Sequence, residues 1–316
     1  MHPASSVILF TTSAGAGYGL LFLIALAAPH GMLPLDMWFG VISIGLALVL
    51  ITIGLLSSTF HLAHPERAWR AMSQWRSSWL SREGVAALFT YIPAVLYAGS
   101  WVFLEEMRGS WPGLIAALAC VGAIATVFCT GQIYASLQTI RQWNHALTIP
   151  VYLVFALASG ALFLNVLIRG FGGAEQWCDI LVILSLIAAW ALKGSYWRGI
   201  DTARELHTVE TATGLGALGS VRLMDPPHSS ENYLMRELGF KIARKHAQRL
   251  RRIAQMLGLF LPLVATAVML QADGGFGILL AVIALVSGMI GIALERWLFF
   301  AQAKHTVQLY YGEAAA

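Results

Sequence analysis

The sequence predicts an all-α integral membrane protein with eight transmembrane helices and both termini in the cytoplasm. Composition sets the class: 58% of the 316 residues are hydrophobic and 11% charged, where soluble domains carry about 25% charged residues. Mean hydropathy is +0.70. The apolar residues gather in eight runs, most near the ~20 residues that a helix needs to cross a bilayer. The basic residues set the orientation. Of the 20 lysines and arginines, all but Arg108 and Arg169 fall on the face that carries the termini. The positive-inside bias makes that face cytoplasmic. The net charge of +4 and pI near 9.1 then point to lipid headgroups rather than nucleic acid.

The expected spans cover about 7–28, 38–60, 84–103, 114–137, 147–168, 178–191, 253–270 and 277–299. Nothing basic precedes the first run and its length fits a span, so it is expected to stay as a helix rather than be cleaved. Its small-residue stretch, 13–19, suits close helix approach. A phosphate-cradling glycine loop would need a preceding strand in a soluble domain. Pro93, Pro150 and Pro262 fall inside or at the start of spans, where neighbouring helices tolerate them. The sixth run is short and polar-ended. Glu295 and Arg296, at the end of the eighth, are read as a structural ion pair or as bonded to neighbouring helices, rather than as a second proton path. The whole chain, 1–316, is one polytopic domain, and the connection 193–252 is its sizeable non-membrane segment. Its basic stretch KIARKHAQRLRR suits anionic headgroups or a docked soluble partner.

The most informative connection joins the second and third spans: FHLAHPERAWRAMSQWRSSWLSREG. His61 leaves one span and Glu83 enters the next, with four arginines and three tryptophans between. Ionisable groups at a span's edge are costly to desolvate and usually mark a pathway or ligand. These neighbours suggest a site for a small redox molecule that exchanges protons at the membrane face. A bland account makes His61 a helix C-terminal cap and Glu83 an N-terminal one, each favoured by the helix dipole. Residue spacing leaves the two readings open.

Three cysteines, Cys120, Cys129 and Cys178, form no C-x-x-C pair. They provide neither the thiolates of an iron–sulfur cluster nor a disulfide framework. Electrons would therefore pass to a partner's centre, to haem or to quinone. Bis-histidine haem b needs imidazoles at matching depth, for which His61, His145 and His305 are candidates. A quinone needs donors to its carbonyl oxygens, a proton relay and an apolar slot. His61 or His145 with Asn144 supplies donors, Glu83 a relay, and Trp69, Trp79 and Trp143 walls. A transporter would cluster ionisable groups near the midplane, whereas the first five spans are nearly free of charge in their middles.

The loop HLAHPERAW…SWLSRE resembles the DmsC-type membrane anchor subunit of the dimethyl sulfoxide reductase family. So do the opening HPASSVILFTTSAGAGYGLL, the QWNH stretch, the segment GLGALGSVRLMDPPHSSENYLMRELGFKIARKHA and the stretch ERWLFFAQAKH, so the resemblance runs over the whole chain. It implies an eight-helix anchor in a bacterial inner membrane. Its partners would be a molybdopterin catalytic subunit and a ferredoxin-like subunit with four [4Fe–4S] clusters. It would exchange electrons with ubiquinone or menaquinone. It places the quinone near a histidine and a glutamate, which fall on His61 and Glu83 here. His64, Arg67, Trp79, Arg82, Asn144 and His145 join the candidate site by chemistry and position. Arg67, Arg70 and Arg82 either favour negative charge on the reduced ring or pair with partner and lipid.

Charge places this connection in the cytoplasm, where the dimethyl sulfoxide reductase anchor presents it to the periplasm. Within the family, that arrangement is similar to the cytoplasm-facing sulfite dehydrogenases of the SoeABC type, in which this sequence would be the membrane-embedded component. The implied reaction is sulfite oxidation coupled to quinone reduction. The alternatives are a quinol-oxidising anchor of the dimethyl sulfoxide reductase type, a haem b anchor and a purely structural one.

Overall fold

The computed structural model describes residues 4–60, 64–103, 109–203, 207–225, 227, 246–272 and 274–313. Among these, eight helices are long and apolar enough to span a membrane: α1 (Ser5–Ala27), α2 (Met37–Thr59), α3 (Trp79–Phe103), α4 (Ser110–Ala135), α5 (Thr148–Gly170), α6 (Gln176–Thr202), α7 (Ala247–Met269) and α8 (Gly274–Ala301).

Besides α7, which begins at Ala247 rather than 253, two boundaries differ from expectation in ways that matter for the buried clusters. α3 starts at Trp79 because Ser78 acts as its cap, its hydroxyl accepting from the Ser81 N–H at 3.4 Å, a role serine favours. Glu83 therefore lies inside the helix instead of capping it. α6 runs past 191 to Thr202, which leaves 203–246 between it and α7. Polar residues depress the hydropathy there, yet Lys193, Tyr196 and Trp197 are all buried.

α1 and α5 form the centre. Of the apolar stretch of each, 72% is buried, against at most 44% for the other six. α1 packs on α2, α4, α5 and α8, while α5 packs on α1, α4, α6 and α8. α3 lies outside against α2 and α4, and α7 outside against α6 and α8. The small residues of 13–19 make the close approach possible. Gly19 meets Ala156 and Gly160 of α5, and Gly17 meets Ala47 and Ile51 of α2. Gly15 faces open space. Gly19→Val is expected to cost about 1–3 kcal/mol by overpacking. Gly15→Ala should cost no stability and can add up to about 1 kcal/mol through helix propensity. Thermal unfolding of the solubilised protein distinguishes the two.

α7 shows how a span accommodates proline. Pro262 has no N–H to give the Gly258 carbonyl one turn earlier. The indole of Trp190 donates to that carbonyl instead, at 2.9 Å. The backbone widens to a π-helical stretch over Met256–Phe260, the usual adjustment beside such a break. At the opposite ends of α5 and α6, Arg169 bonds Asp179 at 2.7 Å and Asn165 at 3.2 Å. It also donates to the carbonyls of Met269 and Ala272. This buried cluster fastens α5, α6 and the end of α7 together.

Candidate functional site: a buried carboxyl at one membrane face

α3 presses Glu83 against α4, where only 4% of it is exposed. Thr130 Oγ1 bonds Glu83 Oε1 and lies 3.0 Å from the carbonyl of Thr126. A hydroxyl has one proton to give and two lone pairs to receive. With Glu83 ionised, Thr130 donates to the carboxylate. With Glu83 protonated, the carboxyl donates to Thr130 Oγ1 and the Thr130 proton turns to Thr126. Oε1 keeps a partner in both states, and losing one in a buried setting would cost about 1–3 kcal/mol. The pair can therefore hold or release a proton.

The turn of α3 that precedes Glu83 carries Trp79 and Arg82. Trp79 meets Phe128 edge-on, with ring centroids 6.1 Å apart. The Arg82 guanidinium stacks 4.2 Å over Trp79 and donates to the carbonyls of Trp75 at 2.9 Å and Arg76 at 2.7 Å. Arg82 thus joins α3 to the turn that follows the 3₁₀ helix Pro65–Gln74, a helix that buries no residue. Trp69 and Trp75 of this connection are exposed, with Arg70 and Arg76 over their rings. Tryptophan with arginine suits the boundary between water and lipid. His64 and Arg67 both lean on Glu66, at 3.1 and 3.7 Å, as an exposed cluster. Exposed pairs of this kind contribute about 0–1 kcal/mol. His61 lies outside the described residues.

The other predicted residues stand elsewhere. Asn144 is exposed and donates to the Ala135 carbonyl at the end of α4. His145 meets Tyr196 of α6 edge-on at 5.2 Å, and its Nε2 faces Gly199. Burial, then the charge of Lys193, holds the His145 pKa below the ordinary histidine value. Trp143, read as a wall of the ring site, is a core residue whose indole donates to the Phe299 carbonyl at 3.0 Å. The structure therefore gathers Glu83, Trp79 and Arg82, and sets His145 against α6.

The haem b alternative meets a chemical objection. A haem-ligating imidazole binds iron through one nitrogen and donates through the other. His145 Nδ1 accepts from the Leu147 N–H at 3.1 Å, and His305 Nδ1 from the Val307 N–H at 3.0 Å. The remaining nitrogen of each neutral ring then carries the proton and has no lone pair for iron. These two residues do not fit an axial ligand pair.

The sequence reading missed one member of a second buried cluster. Lys193 Nζ lies 2.6 Å from Glu295 Oε1, and Arg296 Nε lies 3.4 Å from Glu295 Oε2. The expected Glu295–Arg296 pair is present, and Lys193 completes it from α6. Lys193 and Glu295 are wholly buried. Lys193 sits 4.0 Å over Tyr196, and Arg296 sits 3.8 Å over Tyr152. The spacing of Trp190, Lys193, Tyr196 and Trp197 was the available signal, since it repeats at one helical face.

These features define a polytopic helical membrane protein that holds several ionisable groups, Glu83, Lys193, Glu295 and Arg296 among them, inside its bundle. The chain belongs to the family described as DMSO reductase anchor subunit (DmsC), which matches residues 1–302. It is 30% identical to the C subunit of sulfite dehydrogenase from Allochromatium vinosum over 344 aligned positions, covering all of both proteins. It is 24% identical to the C subunit of anaerobic dimethyl sulfoxide reductase from Escherichia coli, over 69% of this chain and 78% of the relative. The C subunit of polysulfide reductase from Wolinella succinogenes is 27% identical, over 57% of this chain and 66% of the relative. No solved structure matches the chain.

Proposed function

We propose that the chain anchors a molybdenum and iron–sulfur oxidoreductase and passes its electrons to quinone. The observation that carries this reading is Glu83. It is a buried carboxyl with a hydroxyl partner that serves both of its protonation states, set beside the interfacial segment that starts the site. Quinone, when bound, supplies an acceptor for two electrons and two protons. Glu83 holds and delivers the proton at Oε1, Thr130 orients that carboxyl, and Trp79 with Phe128 keeps water from its lipid side. His61 joins as the hydrogen-bond donor on the strength of the family resemblance.

The proposed partners are a ferredoxin-like subunit with four [4Fe–4S] clusters and a molybdopterin catalytic subunit. Sulfite is the proposed substrate of the latter. The relative named for sulfite dehydrogenase aligns over the whole of both proteins, whereas the one named for dimethyl sulfoxide reductase aligns over 69% of this chain. The distribution of lysine and arginine supports a cytoplasmic face for the partners. That support survives removal of the buried Lys193, Arg251 and Arg296 from the count. With electrons and protons arriving on one face, the step moves no charge across the bilayer. In the assembled complex, Glu83→Gln tests the reading. Turnover with quinone should be lost while the partners stay bound, and normal turnover would refute it.

A further inference from the structure

Between α1, α4, α5 and α8 lies a cavity of about 20 Å³, lined among others by Thr12, Tyr18, Thr130, Tyr152, Ser159 and Arg296. That is room for about one water, which needs roughly 10–15 Å³ and two to four polar partners. Four polar atoms of its wall lack a hydrogen-bond partner among the described residues: Thr12 Oγ1, Tyr18 Oη, Tyr152 Oη and Arg296 Nη1. Their residues are each at least nine-tenths buried. Tyr18 lies near Thr126, and Tyr152 under Arg296, without reaching hydrogen-bond geometry with them. Polar groups buried in this way are normally satisfied, by protein or by ordered water. The wall is therefore built for a polar guest of one or two heavy atoms.

Thr130 connects this cavity to the candidate site. Thr130 lines the cavity, and its hydroxyl bonds Glu83 Oε1. On the opposite wall Arg296 continues through Glu295 to Lys193. One row of buried groups thus runs from α3 through the cavity to α8 and α6.

We propose that this cavity holds ordered water which reprotonates Glu83 through Thr130, with Arg296 as the positioning residue for that water. The inference rests on the proposed role of Glu83 as the proton donor. When Glu83 has given up its proton, the Thr130 O–H bond breaks as the Glu83 O–H forms. A water O–H bond breaks as the Thr130 O–H is restored. In the same transfer that water takes up a proton from the aqueous face, so it ends as neutral water, and the Arg296 guanidinium orients its oxygen.

Two measurements test this on the intact complex. A high-resolution density map should show water within hydrogen-bond distance of Tyr18 Oη, Tyr152 Oη and Arg296 Nη1, and a dry or collapsed cavity would overturn the proposal. The double variant Tyr18→Phe/Tyr152→Phe removes both hydroxyls and keeps both rings. It should lower kcat with quinone roughly tenfold or more, raise the solvent isotope effect and leave KM unchanged. Unaltered kcat and isotope effect would overturn the proposal. If that variant does not assemble, Thr12→Val is read by the same criteria. An inert Glu83→Gln would sink the proposed function itself. A dead Glu83→Gln beside inert tyrosine and threonine variants would sink this inference alone.

Discussion

Glu83→Gln is expected to lower quinone turnover by roughly 10²- to 10⁴-fold, the range for removal of a positioned acid or base. The substitution keeps the size of the side chain and a carbonyl oxygen to accept from Thr130. It removes the proton that the carboxyl holds. Packing against α4 should therefore survive, and so should the complex. Thr130→Val provides the complementary case. It leaves the carboxyl in place without the hydroxyl that satisfies it, and should slow turnover less than Glu83→Gln does. Purified complexes compared for bound partners and for steady-state rate separate chemistry from assembly. A Glu83→Gln complex with full turnover would leave the site without its central residue.

The second large effect concerns stability. Removing one partner from a buried ion pair costs about 3–5 kcal/mol, a large part of the roughly 5–15 kcal/mol that typically holds a domain together. Glu295 serves two cations, Lys193 at 2.6 Å and Arg296 at 3.4 Å. Glu295→Gln strands both of them. Lys193→Met strands none, because Glu295 keeps Arg296. We expect Glu295→Gln to reduce membrane abundance and thermal stability more than Lys193→Met does. The double variant should lose less than the sum of the singles, since the two residues share one contact. Equal losses would mean that Arg296 does not share the carboxylate.

The contrast between the two clusters shows what was legible in the amino-acid sequence. Long apolar runs declare themselves because lipid demands about 20 such residues in a row, and all eight expected spans are helices among the described residues. Glu83 stood out as an acid beside a span. Its depth did not, because the helix start depends on Ser78, a cap that hydropathy does not weigh. Lys193 went unseen for a related reason. A lysine, a glycine and a serine at 193–195 resemble the end of a span, and only the partner on α8 explains why the helix continues. Spacing also could not say which polar residues converge. Asn144 and His145 follow α4 closely in sequence, much as Glu83 sits near the start of α3, yet His145 turns to α6. Thr12, Tyr18 and Tyr152 look like ordinary residues of apolar helices until the bundle brings them to one cavity.

The most direct measurement is a density map of the assembled complex with a quinone-site inhibitor bound. A headgroup within hydrogen-bond distance of the Glu83 carboxyl, on the side of α3 that carries Trp79, is the expected result. A headgroup seated beside His145 and Tyr196, or away from α3 altogether, would contradict the account.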